Sequence, residues 1–280
     1  CLISDSHMLT PDCPVIITSV RGLMALHVEV TGPGKDLHSG MYGGAVQNPI
    51  QALSTMLAQL HDANGRVTVP HFYDRVRPLT DEDRVALAQI PFDRAAWLAE
   101  AGQPPQDWGE PGYTIIERTT SRPTLEINGF AGGFTGDGIK TVLPSRAVAK
   151  ISCRLVADQN PEEIRSLLSA YLRALAPPTV HLEIKPIQSG PGATVNLDHP
   201  AMRVASAAYQ AVYGVKPLFI REGGSIPIVA LLQNQFGMVS LLMGFGLPDD
   251  GLHSPNEKMN LTQIQRGVDT ILNFFYGLAG

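Results

Sequence analysis

The stretch "LMALHVEV", residues 23–30, followed by "TGPGKDLHSGMYGG" to Gly44, decides how this chain is read. Met24, Leu26, Val28 and Val30 fall on alternate positions, with His27 and Glu29 between them. That period predicts a β-strand with one buried face, and the glycine-rich run ends it. Working outward, "NPIQALSTMLAQLHDANG" (48–65) sets Ile50, Leu53, Leu57 and Leu60 at helical spacing and closes on Asn-Gly. "TLEINGF" (124–130) and "RAVAKISCRLV" (146–156) read as two further strands. "NPEEIRSLLSAYLRAL" (160–175) reads as a helix with Asn160 as N-cap and Pro161 in its first turn, and "VHLEIKPI" (180–187) as a last strand. The order is β-α-β-β-α-β, a ferredoxin-like plan over residues 21–187. It is interrupted at about residues 65–120 by a proline-rich insertion with a short helix, of the kind that extends a surface or an interface.

A second organisation follows. "HPAMRVASAAYQAVYG" (199–214), "SIPIVALLQNQFG" (225–237) and "TQIQRGVDTILNFFYGL" (262–278) read as helices alternating with the strands "KPLFI" (216–220) and "VSLLMGF" (239–245). This is an α/β layer, and in open α/β sheets ligands gather at the carboxyl ends of strands. Asp5 follows the strand "CLIS", and His253 stands in the loop after "VSLLMGF". Carboxylate and imidazole are metal ligands, but two ligands do not hold a metal against water. A strand-end aspartate is more often a cap or turn former and a loop histidine more often structural, so spacing leaves both open.

With 280 residues, 44% hydrophobic and 17% charged, the chain can bury a sizeable core in two domains. A formal charge of −5, with 21 Lys and Arg spread along the chain, gives no basic stripe for nucleic acid or anionic membrane. No apolar run is long enough to cross a membrane and no secretory pattern is present, so the expectation is a cytoplasmic protein. Cys1, Cys13 and Cys153 have no CxxC spacing and read as small hydrophobes rather than a disulfide framework or zinc knot. There is no G-x-S-x-G elbow and no H-E-x-x-H, and "FAGGFTGDG" lacks the strand-to-helix context of a nucleotide loop.

Several stretches together resemble one family. These are "ISDSHMLTPDCPVIITSVRGL", "DLHSGMYGGAVQNP", "KTVLPSRAVAKISCRLV", "REGGSIP" and "DDGLHSPNEKM". The family is the co-catalytic metallopeptidases that include aminoacylase, succinyl-diaminopimelate desuccinylase, glutamate carboxypeptidase and the carnosinase-type dipeptidases. "LHSGMYGG" and "REGGSIP" look most like the dipeptidase branch. The resemblance implies an α/β fold: the C-terminal part of an αβα-layer catalytic domain (1–20 and 188–280) with an inserted ferredoxin-like lid and dimerisation domain (21–187). The implied partners are a dipeptide and, through the lid, a second copy of the chain. The implied cofactors are two divalent metal ions per complete site, zinc before manganese or cobalt.

By the same resemblance Asp5 and His253 bind metal and His38 donates to the oxyanion. Arg154 captures the substrate carboxylate, Thr141, Gly224 and Ser225 make further substrate contacts, and Glu222 meets the substrate amine. A planar guanidinium suits a carboxylate, although Arg154 reads equally well as a strand arginine paired with Glu126 or Glu183. Asn256 and Glu257 are expected to brace the His253 loop and cap the last helix. The family's metal histidine and bridging aspartate have no counterpart, since no His-x-Asp occurs, and Glu162-Glu163 belongs to a lid helix rather than to the family's catalytic pair. The expectation is therefore a C-terminal portion, inactive alone. The alternatives are an N-acyl amino acid deacylase and a non-catalytic dimerisation or peptide-binding protein.

Overall fold

The structure, a computed structural model, describes residues 1–252 and 254–279. In chain order its elements are β1 (Leu2–Ile3), β2 (Val15–Val20), β3 (Gly22–Thr31), β4 (Leu37–His38), α1 (Ser39–Tyr42), α2 (Pro49–Ala58), α3 (Asp81–Ala88), α4 (Arg94–Glu100) and α5 (Ile115–Ser121). There follow β5 (Thr124–Gly132), β6 (Val142–Leu143), β7 (Arg146–Leu155), α6 (Pro161–Leu175), β8 (His181–Gly190), β9 (Ala193–Thr194), α7 (Pro200–Tyr213), β10 (Leu218–Glu222), α8 (Pro227–Phe236), β11 (Leu241–Leu242) and α9 (Leu261–Ala279). They form two compact units, one of Gly22–Pro78 and Asp107–Gly192, the other of Cys1–Arg21, Leu79–Gln106 and Ala193–Gly280.

In the first unit, β5-β7-β3-β8 form an antiparallel sheet in which β3 pairs with β7 from Gly22↔Leu155 to Thr31↔Arg146. This is the ferredoxin-like order. The alternation in β3 turns Met24, Leu26, Val28 and Val30 wholly inward, where they meet Ala147, Ala149, Ile151 and Cys153 of β7, Leu53 and Met56 of α2, and Ile164 and Leu168 of α6. Asn160 caps α6 through Oδ1, accepting from the Glu162 and Glu163 amides, and those two carboxylates favour the helix N-terminus.

α2 stops at Ala58 instead of running on to Asn-Gly. Asp62 Oδ1 accepts from the Asn64 and Arg66 amides and Gly65 takes φ 74°, so a local turn competes successfully with the helix. Beyond it Glu110, 8% exposed, accepts from Arg122 (Nε 3.1 Å, Nη2 2.6 Å) and from the Tyr73 hydroxyl (2.6 Å). Burial, reinforced by that hydrogen bond, pushes the Tyr73 phenol well above its ordinary pKa, so it remains a donor. Arg122 also lies over the rings of Tyr113 (4.5 Å) and Tyr73 (5.1 Å).

The second unit holds the sheet β1-β11-β2-β10, with β9 on β2. In β2, "VIITSV", Val15, Ile16 and Ile17 are all buried, as suits a central strand covered on both faces. β1 and β11 are parallel (Leu2↔Leu241, Ile3↔Leu242), so the chain leaves both at one edge of the sheet. The expected strand "VSLLMGF" yields only these two ladder residues. Past them the backbones of Ser6 and Gly244 come so close that a Cβ on Gly244 would lie 2.0 Å from Ser6 carbon and oxygen. Tyr209 of α7 is fully buried and donates its hydroxyl to Gly244 O (3.0 Å). α9 packs on α7 but leaves Leu261, Ile264, Val268, Leu272 and Phe275 exposed at helical spacing.

The insertion forms three helices, α3, α4 and α5, rather than one, each with a capping side chain (Thr80, Asp93, Thr114). Its middle part, Leu79–Gln106, belongs to the unit of the chain termini, which departs from an undivided 21–187 lid. Two contacts explain the assignment: Ile90 packs on that unit's apolar core, and Asp83 pairs with Arg221 of β10. Among the described residues no helix is long and apolar enough to cross a membrane.

Candidate active site

In the terminal unit, Asp5 is exposed two residues beyond β1 and has no hydrogen-bond or ion-pair partner among the described residues. His7, which bridges Gly246 in parallel, brings Nδ1 to 3.8 Å from Glu222 Oε2 at the end of β10. Glu222 Oε1 accepts from the Gly224 amide (3.0 Å) and so folds the Gly223–Gly224 turn onto its own carboxylate. Arg21 holds the same turn, donating from Nε to Gly223 O (2.7 Å) and from its amide to Gly224 O (3.0 Å). Ser225 and Ile226 lead into α8, which opens on Pro227 without a side-chain cap. Its first-turn amides are thus not taken up by a capping side chain, a disposition that favours a carboxylate.

His253 lies outside the described residues. On either side of it, Asp250 accepts from the Leu247 amide (2.7 Å), Lys258 pairs with Asp249 (2.6 Å) and Ser254 Oγ donates to Gly251 O (2.6 Å). The Lys258 ammonium beside Asp249 holds that carboxyl below its usual range. The cap of α9 is Asn260, whose Oδ1 accepts from the Thr262 amide, and not Asn256 or Glu257. Asn sits one residue before the helix there, where its side-chain oxygen reaches the free amide.

In the other unit, β4 and β6 pair His38 with Val142, and the Ser39 amide bonds Thr141 O (2.9 Å), which brings the His38 loop and Thr141 together. Both side chains are exposed. His38 Nδ1 accepts from the Gly40 amide (3.0 Å), and an accepting Nδ1 leaves the neutral ring's proton on Nε2. The neutral ring thus keeps an N–H donor on an exposed side chain. Asp36 Oδ1 accepts from the Ser145 amide (2.8 Å), tying the same loop to the start of β7. Arg154 lies on β7 opposite Leu23 and Thr124, on the face away from the helices, since Cys153 and Leu155 beside it are buried.

Asp36, His7, Arg21 and Asp83 were not singled out from sequence. Each acts through a partner distant in the chain; His7, Arg21 and Asp36 stand inside stretches already marked and Asp83 does not. Among the described residues no three His, Cys, Asp or Glu side chains gather to hold a metal, so these residues alone do not make the implied site.

A family model described as a peptidase dimerisation domain matches residues 18–180. The chain belongs to the M20 metallopeptidase family. Among M20 relatives it is 32% identical to the Cys-Gly metallodipeptidase DUG1 of Candida albicans, over 99% of this chain and 58% of that protein. It is 29% identical to the Beta-Ala-His dipeptidase of Rattus norvegicus, over 99% of this chain and 57% of that protein. It superposes on the M20 family metallo-carboxypeptidase Sso-CP2 of Sulfolobus solfataricus with a TM-score of 0.87 at 27% identity, covering 99% of this chain and 64% of that one. The chain therefore spans somewhat more than half the length of the relatives it matches.

Proposed function

We propose that this chain serves a metal-dependent dipeptidase, with Asp5 and His253 among the ligands of two divalent ions, zinc before manganese or cobalt. His38 is the oxyanion donor, Arg154 takes the substrate's terminal carboxylate, Glu222 meets its amine, and Thr141, Gly224 and Ser225 complete the contacts. The unit carrying the dimerisation-domain match is the seat of a homodimer. The observation that carries the reading is the His38 ring, whose Nδ1 is engaged by the Gly40 amide, which leaves Nε2–H as the donor of an exposed side chain. A preorganised N–H of this kind acts where charge develops in acyl transfer. The tight Glu222–Gly224 turn before the uncapped start of α8 supports binding of a charged small substrate.

The test is an assay of the whole gene product, stripped with chelator and reloaded with zinc, manganese or cobalt, on Cys-Gly, β-Ala-His and N-acyl amino acids. Metal-dependent turnover of dipeptides is expected. His38→Ala should lower kcat roughly 10²- to 10³-fold with bound metal unchanged, the loss typical of one oxyanion donor. Metal-independent turnover, or turnover of N-acyl amino acids alone, refutes the proposal.

A further inference from the structure

The Leu79–Gln106 excursion interrupts the other unit in sequence yet belongs to the unit that carries Glu222. Its helix α3 begins with a capping box in which Thr80 Oγ1 accepts from the Asp83 amide and Asp83 Oδ2 accepts from the Thr80 amide (each 3.1 Å). A box satisfies the helix end with one carboxylate oxygen, and here the second, Oδ1, is turned outward to Arg221 Nη2. Arg221 is the residue before Glu222, and β10 slips register on β2 between Ile220 and Arg221. Pairing resumes at Arg221↔Ser19 and Glu222↔Val20, so the irregularity lies just before the substrate turn begins. Both side chains of the pair are partly buried, which lessens screening. The turn itself is held by Arg21, through Gly223 O and Gly224 O, and by Glu222 on the Gly224 amide.

We infer that Asp83, acting through Arg221, is a positioning residue for the Glu222–Ser225 substrate turn, so that the excursion carrying it serves substrate binding. The inference rests on the proposed role of that turn. The excursion supplies an anionic anchor 138 residues upstream of its partner. The anchor adds a side-chain hold to the end of β10 directly after the break in its ladder register.

The experiment uses the whole gene product and four forms: wild type, Asp83→Asn, Asp83→Glu and Thr80→Ala. Asp83→Asn removes the charge facing Arg221 but keeps a capping oxygen, Asp83→Glu keeps both, and Thr80→Ala breaks the box while leaving the ion pair. Amide exchange is followed at residues 219–226 and at Arg21, whose amide is bonded to Gly224 O. Exchange there should quicken several-fold in Asp83→Asn alone. KM for a dipeptide should rise roughly three- to tenfold in that variant with kcat within twofold, the scale of a partly exposed charged contact. Unchanged exchange in Asp83→Asn overturns the inference, as does an equal change in Thr80→Ala, which would assign the effect to loosening of α3. A wild type that turns over no dipeptide would defeat the functional proposal instead, and the exchange result would still decide whether Asp83 holds the turn.

Discussion

Replacing Glu110 by Ala should cost the dimerisation-domain unit about 4 kcal/mol. Glu110 and Arg122 are 8% and 6% exposed, so removing the carboxylate leaves a guanidinium charge in a site nearly free of water. Breaking such a pair typically costs about 3–5 kcal/mol. The rings of Tyr113 and Tyr73 over Arg122 persist in the variant and go on favouring the cation, which places the ionic part near the lower end, about 3 kcal/mol. The Tyr73 hydroxyl loses its 2.6 Å acceptor while keeping the Val67 amide as donor to it, which adds about 1 kcal/mol. At roughly 2 to 4 °C per kcal/mol for a unit of this size, the expected drop in Tm is about 8 to 16 °C. Urea unfolding followed by circular dichroism measures the free energy, and Glu110→Leu, Arg122→Met and their double variant form a separate cycle. The double variant should be less destabilised than the sum of its single changes, because the buried charge goes with the carboxylate that faced it. A loss under about 1 kcal/mol for Glu110→Ala, or strict additivity in the cycle, refutes the reasoning.

Gly244→Ala places a methyl 2.0 Å from the Ser6 backbone, which cannot yield as a side-chain tip would, and should cost at least about 3 kcal/mol; a Tm within 2 °C of wild type would contradict the close approach. Burial depresses the His61 imidazole below its reference value of 6.5, so the unfolded chain takes the proton first, and His61's contribution to stability is complete above 6.5 and lost as pH falls beneath it. His61→Gln should therefore show a smaller fall in urea midpoint than wild type between pH 7.5 and 5, and parallel profiles would rule this out. In the metal-loaded whole gene product, Arg154→Ala should raise KM roughly 10- to 100-fold for dipeptides with a free carboxylate and little for their amides, the scale of hydrogen bonds to a charged group. Equal effects on both substrates would remove Arg154 from carboxylate capture.

Where one face of an element meets a core, the sequence was transparent: β3 and β7 alternate, α6 announces its start with Asn160-Pro161, and their order alone yields the ferredoxin-like plan. β2 escaped because a strand buried on both faces has no alternation to show, and "VIITSV" passes for a connector. α2 ended early through a local turn at Asp62 that helical spacing does not register. The residues of the Glu222–Ser225 turn stood out by resemblance, whereas their supports did not. Asp83 looks like any first-turn helix acid until Arg221 is seen beside it, and His7 looks like a loop residue until Glu222 is found 3.8 Å away. Such pairings are set by tertiary register, which no local pattern encodes.

The pairing of Leu2 with Leu241 has a consequence for synthesis. A ribosome adding roughly 5 to 20 residues per second releases β1 some 12 to 50 seconds before its partner strand exists. The Gly22–Gly192 stretches of the other unit emerge meanwhile, and can close their sheet first. The unit that holds β1 must then be assembled from a waiting β1 and β2, the Leu79–Gln106 excursion and the stretch from Ala193 onward, which emerges later. During that interval Val15, Ile16 and Ile17 form an open apolar strand, so nascent-chain yield should depend on chaperone supply more than the finished protein's stability would suggest.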